Sequence, residues 1–338
     1  ENIEPILFKI ANMSKCRLGF LLIIASVITL TIITGCKPDT TSVSRRTIPH
    51  EAKWGIYELN LSTQDVRLIY STPDEIQASA LRLNAAGNRF VFAQKAGGPN
   101  DDNQEIYSIG IDGNNLTRLT TNSFMDLYPV WSPDGGQIAF LSKREKDLDI
   151  YVMDADGTNV KRLYDSGDND ADIDWAGKSI VFTSRFAIWK MNQESTQPMQ
   201  ISRPPDQGQW GKANLPAGDY DPRLSPDGKK VVFERLEDIN QPNGGYNLFV
   251  MNADGTGEIR LTNNSYAQGL ASWSHSGGQL VYEVAAINGV GKYDIYMINS
   301  DGTTNLNITP AHFPADFLCH SPVFSKDDSN VFFIGLWW

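Results

Sequence analysis

The stretch WSPDGGQIAF at residues 131–140, followed by DIYVMDADG at 149–157, contains the pattern that decides the fold. A hydrophobic anchor, a polar turn with Asp and Gly, and then an apolar strand are typical of a β-hairpin. The second segment is another strand that ends in an Asp-Gly turn, where glycine supplies the positive φ of a tight turn. A short strand follows that turn. The stretch therefore predicts four consecutive antiparallel strands.

The same unit recurs along the chain. The hydrophobic anchors of its six copies are Leu83, Trp131, Trp175, Leu224, Trp273 and Phe324. Their spacing ranges from 44 residues, between Trp131 and Trp175, to 51 residues, between Trp273 and Phe324. Four-stranded units repeated at this spacing are typical of propeller blades. The sequence predicts an all-β fold: a six-bladed β-propeller of four-stranded antiparallel blades over residues 54–338.

The two ends of the repeat region complement each other. Phe324 is followed by a single predicted strand at 330–335, so the last unit lacks its outer half. The segment GIYELNLSTQDVRLIY at 55–70 has the pattern of that outer half, without a hairpin before it. We expect these N-terminal strands to complete the C-terminal blade. Such pairing closes the ring and covers strand edges that an open array would expose.

The N-terminal region resembles a bacterial lipoprotein signal. The apolar run LGFLLIIASVITLTII at 18–33 follows Lys15 and Arg17 and precedes Gly35 and Cys36. The resemblance implies a signal peptide over 13–35, with a lipid attached to Cys36 and a flexible tether over 36–53. Residues 1–12 would then be upstream sequence that is not native. The alternative is a short uncleaved anchor, although this run is short for a membrane-spanning helix.

The charge balance argues against one class of partner. The 338 residues include 29 Lys and Arg against 40 Asp and Glu, a formal net charge of −11. Because nucleic-acid binding depends on cationic side chains at phosphates, we expect no nucleic-acid partner.

Cys319 would be the one free thiol of the exported domain. It is predicted to be a buried structural residue, since its neighbour His320 would point to the opposite face of a strand.

The repeats resemble those of the TolB-type six-bladed propeller. The segments that carry the resemblance are WSPDG…IYVMDADG, from residue 131, and LSPDG…LFVMNADG, from residue 224. TolB itself has an additional N-terminal α/β domain, for which the stretch from Lys37 to Lys53 is too short. The chain is therefore expected to resemble the TolB propeller and not the whole TolB protein. The resemblance implies a propeller that binds protein segments at its mouth.

Candidate binding residues lie on the strand before each anchor. Side chains two positions apart share a face of a strand, so positions five and three before the anchor share one. Because this strand is expected to be the innermost of its blade, that face is predicted to line the mouth of the central channel. The candidates, including a histidine on the last inner strand, are Asp126, Tyr128, Asp170, Asp172, Asp219, Asp221 and His320.

Three interpretations of these carboxylates remain open. They could form a solvated acidic rim, or a docking mouth for a basic or polar protein segment. The third is a hard-cation site, because Ca²⁺ prefers several oxygen ligands. Its ligands would be Asp170, Asp172, Asp219 and Asp221. No other cofactor is expected.

The sequence predicts a lipid-anchored, monomeric scaffold of the bacterial envelope that binds a protein or an envelope polymer, without catalysis. By resemblance to enterobacterial sorting, Lys37 after the lipidated cysteine favours the outer membrane, facing the periplasm or the cell surface. The alternative is a carbohydrate-active enzyme of the lyase or glycosidase type, because paired carboxylates serve as acid and base. Oligogalacturonate lyases are similar in architecture but hold a metal with several histidines. This chain has four: His50 in the tether, His275 in a predicted turn, His312 and His320.

Overall fold

A computed structural model describes residues 54–337, apart from 74–75, 98–100, 102, 241–244, 264–265, 286–292 and 315–316. In this part the chain forms 24 strands in six four-stranded antiparallel sheets, which confirms the predicted fold class. No helix among the described residues is long and apolar enough to cross a membrane. The predicted signal peptide, Cys36, the tether and Trp338 lie outside the described residues.

Each sheet is one blade. The sixth blade combines the first two strands with the last two. They are β1 (Trp54–Asn60), β2 (Val66–Ser71), β23 (Phe317–Phe324) and β24 (Asn330–Trp337). The first blade contains β3 (Ala78–Leu83), β4 (Arg89–Lys95), β5 (Gln104–Gly110) and β6 (Thr117–Arg118). The second contains β7 (Asp126–Trp131), β8 (Gln137–Ser142), β9 (Asp149–Asp154) and β10 (Lys161–Tyr164).

The remaining three blades follow the same order. The third contains β11 (Asp170–Ala176), β12 (Ser179–Ser184), β13 (Ala187–Asn192) and β14 (Ser195–Gln200). The fourth contains β15 (Gly218–Leu224), β16 (Lys230–Leu236), β17 (Tyr246–Asn252) and β18 (Ile259–Arg260). The fifth contains β19 (Ala267–Trp273), β20 (Gln279–Ala285), β21 (Tyr293–Asn299) and β22 (Leu306–Asn307). The first strand of every blade contacts its counterparts in both neighbouring blades, so these six strands surround the axis.

The ring closes by pairing of the two ends of the repeat region, as predicted. In the sixth blade the strand order is β2-β1-β24-β23. Strand β1 pairs antiparallel with β24 over its whole length, from Trp54 opposite Leu336 to Asn60 opposite Asn330. Tyr57 of β1 stacks on Phe333 of β24, with ring centroids 5.6 Å apart, and both side chains are fully buried. Closure therefore adds core contacts as well as backbone hydrogen bonds.

The anchors and turns have structural roles. Five of the anchors are buried in the cores on which adjacent blades pack, and Trp273 Nε1 also donates a hydrogen bond to the Arg223 carbonyl of the fourth blade, at 3.0 Å. In the SPDG turn, the Asp134 carboxylate accepts hydrogen bonds from Ser132 Oγ at 2.6 Å and Gly136 N at 3.0 Å.

Cys319 is a fully buried free thiol, which confirms its predicted structural position.

Every inner strand contains a β-bulge at the same place. The residue three positions before the anchor has a φ between +48° and +56°, and the pairing with the second strand shifts there in all six blades. The six residues are Ala80, Tyr128, Asp172, Asp221, Leu270 and Ser321. A bulge inserts one unpaired residue and interrupts the alternation of side chains between the faces. The inner strands therefore present different residues to the axis from those that strict alternation predicts.

Replacing Gly157 by alanine is expected to destabilise the propeller by about 2–3 kcal/mol. Gly157 ends the Asp-Gly turn of the second blade with a φ of +89°, and an added Cβ would lie 2.5 Å from the Leu119 carbonyl oxygen of the first blade. Gly135→Ala is the matched control, because its φ is +72° but no described atom lies within 4 Å of its added Cβ. We expect the control to cost only about 1 kcal/mol in urea unfolding. If both variants lost the same free energy of unfolding, the close contact between Gly157 and Leu119 would be contradicted.

Candidate functional site

The inner strands enclose a cavity on the axis, which we call the central cavity. It contains about 1160 Å³ of space between atoms, part of it open to solvent. Its walls include apolar side chains such as Leu127, Leu215 and Leu270. Its charged and titratable lining residues come from four different blades and are Arg82, Asp221, Arg223, Glu234, Glu283 and His320. The cavity therefore offers charges of both signs on a partly apolar wall.

Two close charge contacts lie on the side formed by blades four to six. Arg223 Nη2 is 3.5 Å from Asp221 Oδ1, and both side chains are nearly fully buried. Arg223 Nη1 also donates to the Pro222 carbonyl at 2.7 Å. His320 Nδ1 lies 2.6 Å from Glu283 Oε2, in a geometry that does not satisfy a hydrogen bond. All four of these side chains belong to residues that line the cavity.

Carboxylates also join neighbouring blades at the bulges. Asp172 of the third blade accepts a hydrogen bond from Asp221 N of the fourth, at 3.3 Å. Glu283 of the fifth blade accepts one from Ser321 N of the sixth, at 3.2 Å. Asp174 accepts one from Leu224 N at 2.8 Å, and burial raises its pKa to about 6. These carboxylates fix the spacing of the inner strands, so the cavity is formed before any ligand enters it.

Arg82 of the first blade is the other cation of the cavity. Its Nη1 donates to the carbonyl of the adjacent Leu81 at 2.8 Å, while its Nε has no hydrogen-bond partner among the described residues. Burial lowers the pKa of Arg82, and the nearby Asp174 and Asp221 oppose that effect. Arg82 and Arg223 both lie one position before an anchor. That position shares a strand face with the position three before the anchor, so basic residues there in two blades were a usable signal, but the prediction considered only positions five and three.

The predicted candidates divide among three places. Tyr128, Asp221 and His320 line the central cavity. Tyr128, Asp170 and Asp172 line a second pocket between blades two and three, which we call the side pocket. Asp126 and Asp219 line neither. Their expected orientation towards the channel is corrected by the structure, because the bulge breaks the two-residue period between positions five and three before the anchor.

Asp126 and Asp219 are instead held by arginines of their own blades. Asp126 is fully buried, accepts a short hydrogen bond from Ser142 Oγ and lies 3.1 Å from Arg144 Nη2. Asp219 is also fully buried and receives Arg235 Nε at 2.6 Å and Arg235 Nη2 at 2.9 Å. These carboxylates therefore stabilise their blades as ion pairs.

The described ranges contain no group of three or more His, Cys, Asp and Glu side chains that could hold a metal ion. The four proposed calcium ligands do not converge: Asp170 and Asp172 line the side pocket, Asp221 lines the central cavity, and Asp219 is paired with Arg235. The arrangement gives no support to the calcium interpretation. What it offers is a preformed cavity with both charges and apolar surface.

Known proteins share this architecture. Residues 48–207 match the family described as the TolB beta propeller domain. The protein TolB homolog of Chlorobium luteolum is 28% identical over 180 residues, which are 53% of this chain and 37% of that protein. The repeats over residues 48–207 are similar to those of the TolB-type propeller family. This confirms the resemblance that the repeats indicated.

The chain is similar to solved structures over most of its length. A TolB-type protein of Agrobacterium tumefaciens aligns with a TM-score of 0.65 and 16% identity, covering 83% of this chain and 97% of that one. TolB of Acinetobacter baumannii aligns with a TM-score of 0.59 and 15% identity, covering 80% of this chain and 66% of that one. At these identities the likeness concerns the fold. The chain spans well under half of the length of the curated relatives it matches.

Proposed function

We propose that this chain is an exported protein of the bacterial envelope, anchored by a lipid on Cys36, whose central cavity binds a segment of a partner protein. The observation that carries the proposal is the composition of that cavity. Arg82 and Arg223 supply cations, Asp221, Glu234 and Glu283 supply anions, and leucines supply apolar surface. A wall of this kind suits a peptide, which has charged and apolar side chains and a polar backbone.

The rigidity of the cavity favours binding. Its inner strands are held at fixed spacing by hydrogen bonds from Asp172 to Asp221 N and from Glu283 to Ser321 N. A preformed site loses little conformational entropy when a ligand enters. Because the inner strands of all six blades surround the cavity, it can admit a short segment but not a folded domain. The proposed ligand is therefore an extended loop or chain terminus of the partner.

Catalysis is not part of the proposal. The alternative, a carbohydrate-active enzyme of the lyase or glycosidase type, needs carboxylates that are free to donate and accept protons. Two of the candidates for that role, Asp126 and Asp219, are instead buried against Arg144 and Arg235, whereas Asp170 of the side pocket has no hydrogen-bond partner among the described residues. An envelope polymer remains an alternative ligand of the same cavity. Incubation of the chain with envelope and plant polysaccharides is expected to produce no new reducing or unsaturated ends.

Photo-crosslinking in the native bacterium tests the binding site. A photoreactive amino acid is placed at Ser79, which lines the central cavity, or at Thr63, which is exposed in the turn between β1 and β2 at the outer edge. We expect a discrete protein adduct from position 79 and none from position 63. Adducts of the same protein from both positions, or none from position 79, would contradict binding in the cavity.

The anchor is tested separately. Cys36→Ala is expected to release the chain from the membrane fraction, because the thiol that carries the lipid is lost. Fractionation of the envelope followed by mass spectrometry of the N-terminal peptide measures both effects. Retention of the variant in the membrane, with its signal uncleaved, would favour the anchor alternative. The crosslinking result does not depend on this outcome.

A further inference from the structure

The side pocket adjoins the central cavity, with which it shares Leu127, Tyr128 and Leu215, and differs from it in character. It contains about 780 Å³ of space between atoms, part of it open to solvent. Its wall is largely apolar and includes Leu127, Leu141, Leu148, Phe186, Leu215 and Tyr220. Three buried polar side chains stand out on this wall: Asp170 at the start of β11, and Thr183 and Ser184 at the end of β12.

The Asp170 carboxylate is buried and accepts no hydrogen bond from the described residues. Its relative exposure is 0%, and neither of its oxygens has a hydrogen-bond partner among the described residues. The hydroxyl groups of Thr183 and Ser184 are also buried without a partner there. Burial raises the pKa of Asp170 to about 7, although the hydroxyl groups of Ser166 and Ser184, which lie near it outside hydrogen-bond geometry, oppose the effect. Buried polar groups normally have partners, so this cluster requires an explanation.

Equivalent positions in other blades show what is unusual. Asp126 and Asp219 occupy the same place in blades two and four, and each is paired with an arginine of its own blade. In blade three, Arg185 contacts other groups. Its Nη2 donates to the Ser166 carbonyl at 2.9 Å, and its guanidinium lies over the Trp189 ring. Blade three therefore provides the buried carboxylate of the pair but not its cation.

We propose that the side pocket binds a small organic amine, whose ammonium group pairs with Asp170 and whose hydrocarbon part packs on the apolar wall. An ammonium group has three N–H donors. The Asp170 carboxylate and the Thr183 and Ser184 hydroxyl oxygens can accept them. Asp168 and Asp172 also line this pocket, and Arg185 is the one cation among its described lining residues, so the local charge favours a cationic ligand over an anionic one. The proposal does not depend on the function of the central cavity.

Three probes of similar shape test the proposal with the full chain at pH 8, where Asp170 is largely ionised. They are benzylamine, benzyl alcohol and benzoate. Saturation-transfer NMR and calorimetry are expected to detect benzylamine and to find weaker binding of the alcohol and none of benzoate. Asp170→Asn, which retains the shape of the side chain, is expected to weaken benzylamine binding at least about tenfold.

Two further variants separate the site from a general charge effect. Asp168→Asn removes the same charge from an exposed position on the rim of the pocket, and it is expected to change the affinity less than about threefold. Thr183→Val removes one acceptor and is expected to weaken binding about two- to tenfold. Failure of the wild-type chain to bind benzylamine would overturn the proposal. Equal binding of the alcohol, or unchanged affinity of Asp170→Asn, would do the same.

Discussion

Replacing Arg235 by methionine is expected to lower the free energy of unfolding by about 3–5 kcal/mol. The guanidinium of Arg235 holds the fully buried Asp219 through two hydrogen bonds and Glu258 through two more, at 2.6 and 2.8 Å. It also lies over the Phe249 ring, 4.6 Å from the centroid. Methionine retains much of the apolar packing but leaves the Asp219 carboxylate buried without its cation. An uncompensated buried charge is costly because the interior solvates it poorly.

Urea unfolding at pH 7, followed by circular dichroism, measures this effect. Lys178→Met is the control, because Lys178 and Glu194 form an ion pair at 3.0 Å in which both side chains are exposed. Exposed pairs contribute less than about 1 kcal/mol. A double variant, Arg235→Met with Asp219→Leu, is expected to recover part of the loss by removing the unpaired charge. If Arg235→Met were no more damaging than the control, the ion pair would not support the blade.

Asp170→Asn is expected to stabilise the chain at pH 8, by up to about 4 kcal/mol. The pKa of Asp170 is raised from 3.8 to about 7 by burial. Between about pH 4 and pH 7 the folded chain therefore binds more protons at this site than the unfolded chain. The contribution of Asp170 to the free energy of unfolding is therefore greatest at low pH, and it falls as the pH rises through that interval. Asparagine is neutral at every pH, so the variant does not lose this part of the free energy of unfolding.

Unfolding at pH 8 and pH 4.5 separates this effect from others. The advantage of Asp170→Asn is expected to fall to about 1 kcal/mol or less at pH 4.5, where the native side chain is neutral in the fold. Asp149 and Asp174, whose pKa values are also raised to about 6, are present in both proteins and largely cancel in the comparison. Asp168→Asn, at an exposed position, is expected to change little. A destabilised Asp170→Asn at pH 8 would show that the carboxylate is favourably paired.

The architecture was predictable because it depends on local chemistry. The SPDG and Asp-Gly turns fix their own geometry through short hydrogen bonds, such as that from Ser132 Oγ to Asp134. The spacing of the anchors gives the number of blades. The unpaired outer half at 55–70 and the single last strand indicated that the ends join, and β1 does pair with β24.

The lining of the site was harder to predict because the bulge has no residue-type signature. Ala80, Tyr128 and Leu270 adopt a positive φ, although such residues rarely do. Only the tertiary contacts between blades hold them there. Asp126 and Asp219, five positions before the anchors of blades two and four, do not line the cavity, whereas the equivalent Gln268 of blade five does. The pairing of Asp219 with Arg235, which lie opposite each other in the hairpin of β15 and β16, does not follow from the spacing of residues along one strand.

The most direct test of the central claim is a structure of the chain crosslinked to its partner through position 79. We expect an extended segment of the partner on the propeller axis, in contact with Arg82 on one side and with Glu283 on the other. A partner bound at the outer strands of the blades, with the central cavity filled only by water, would contradict the account.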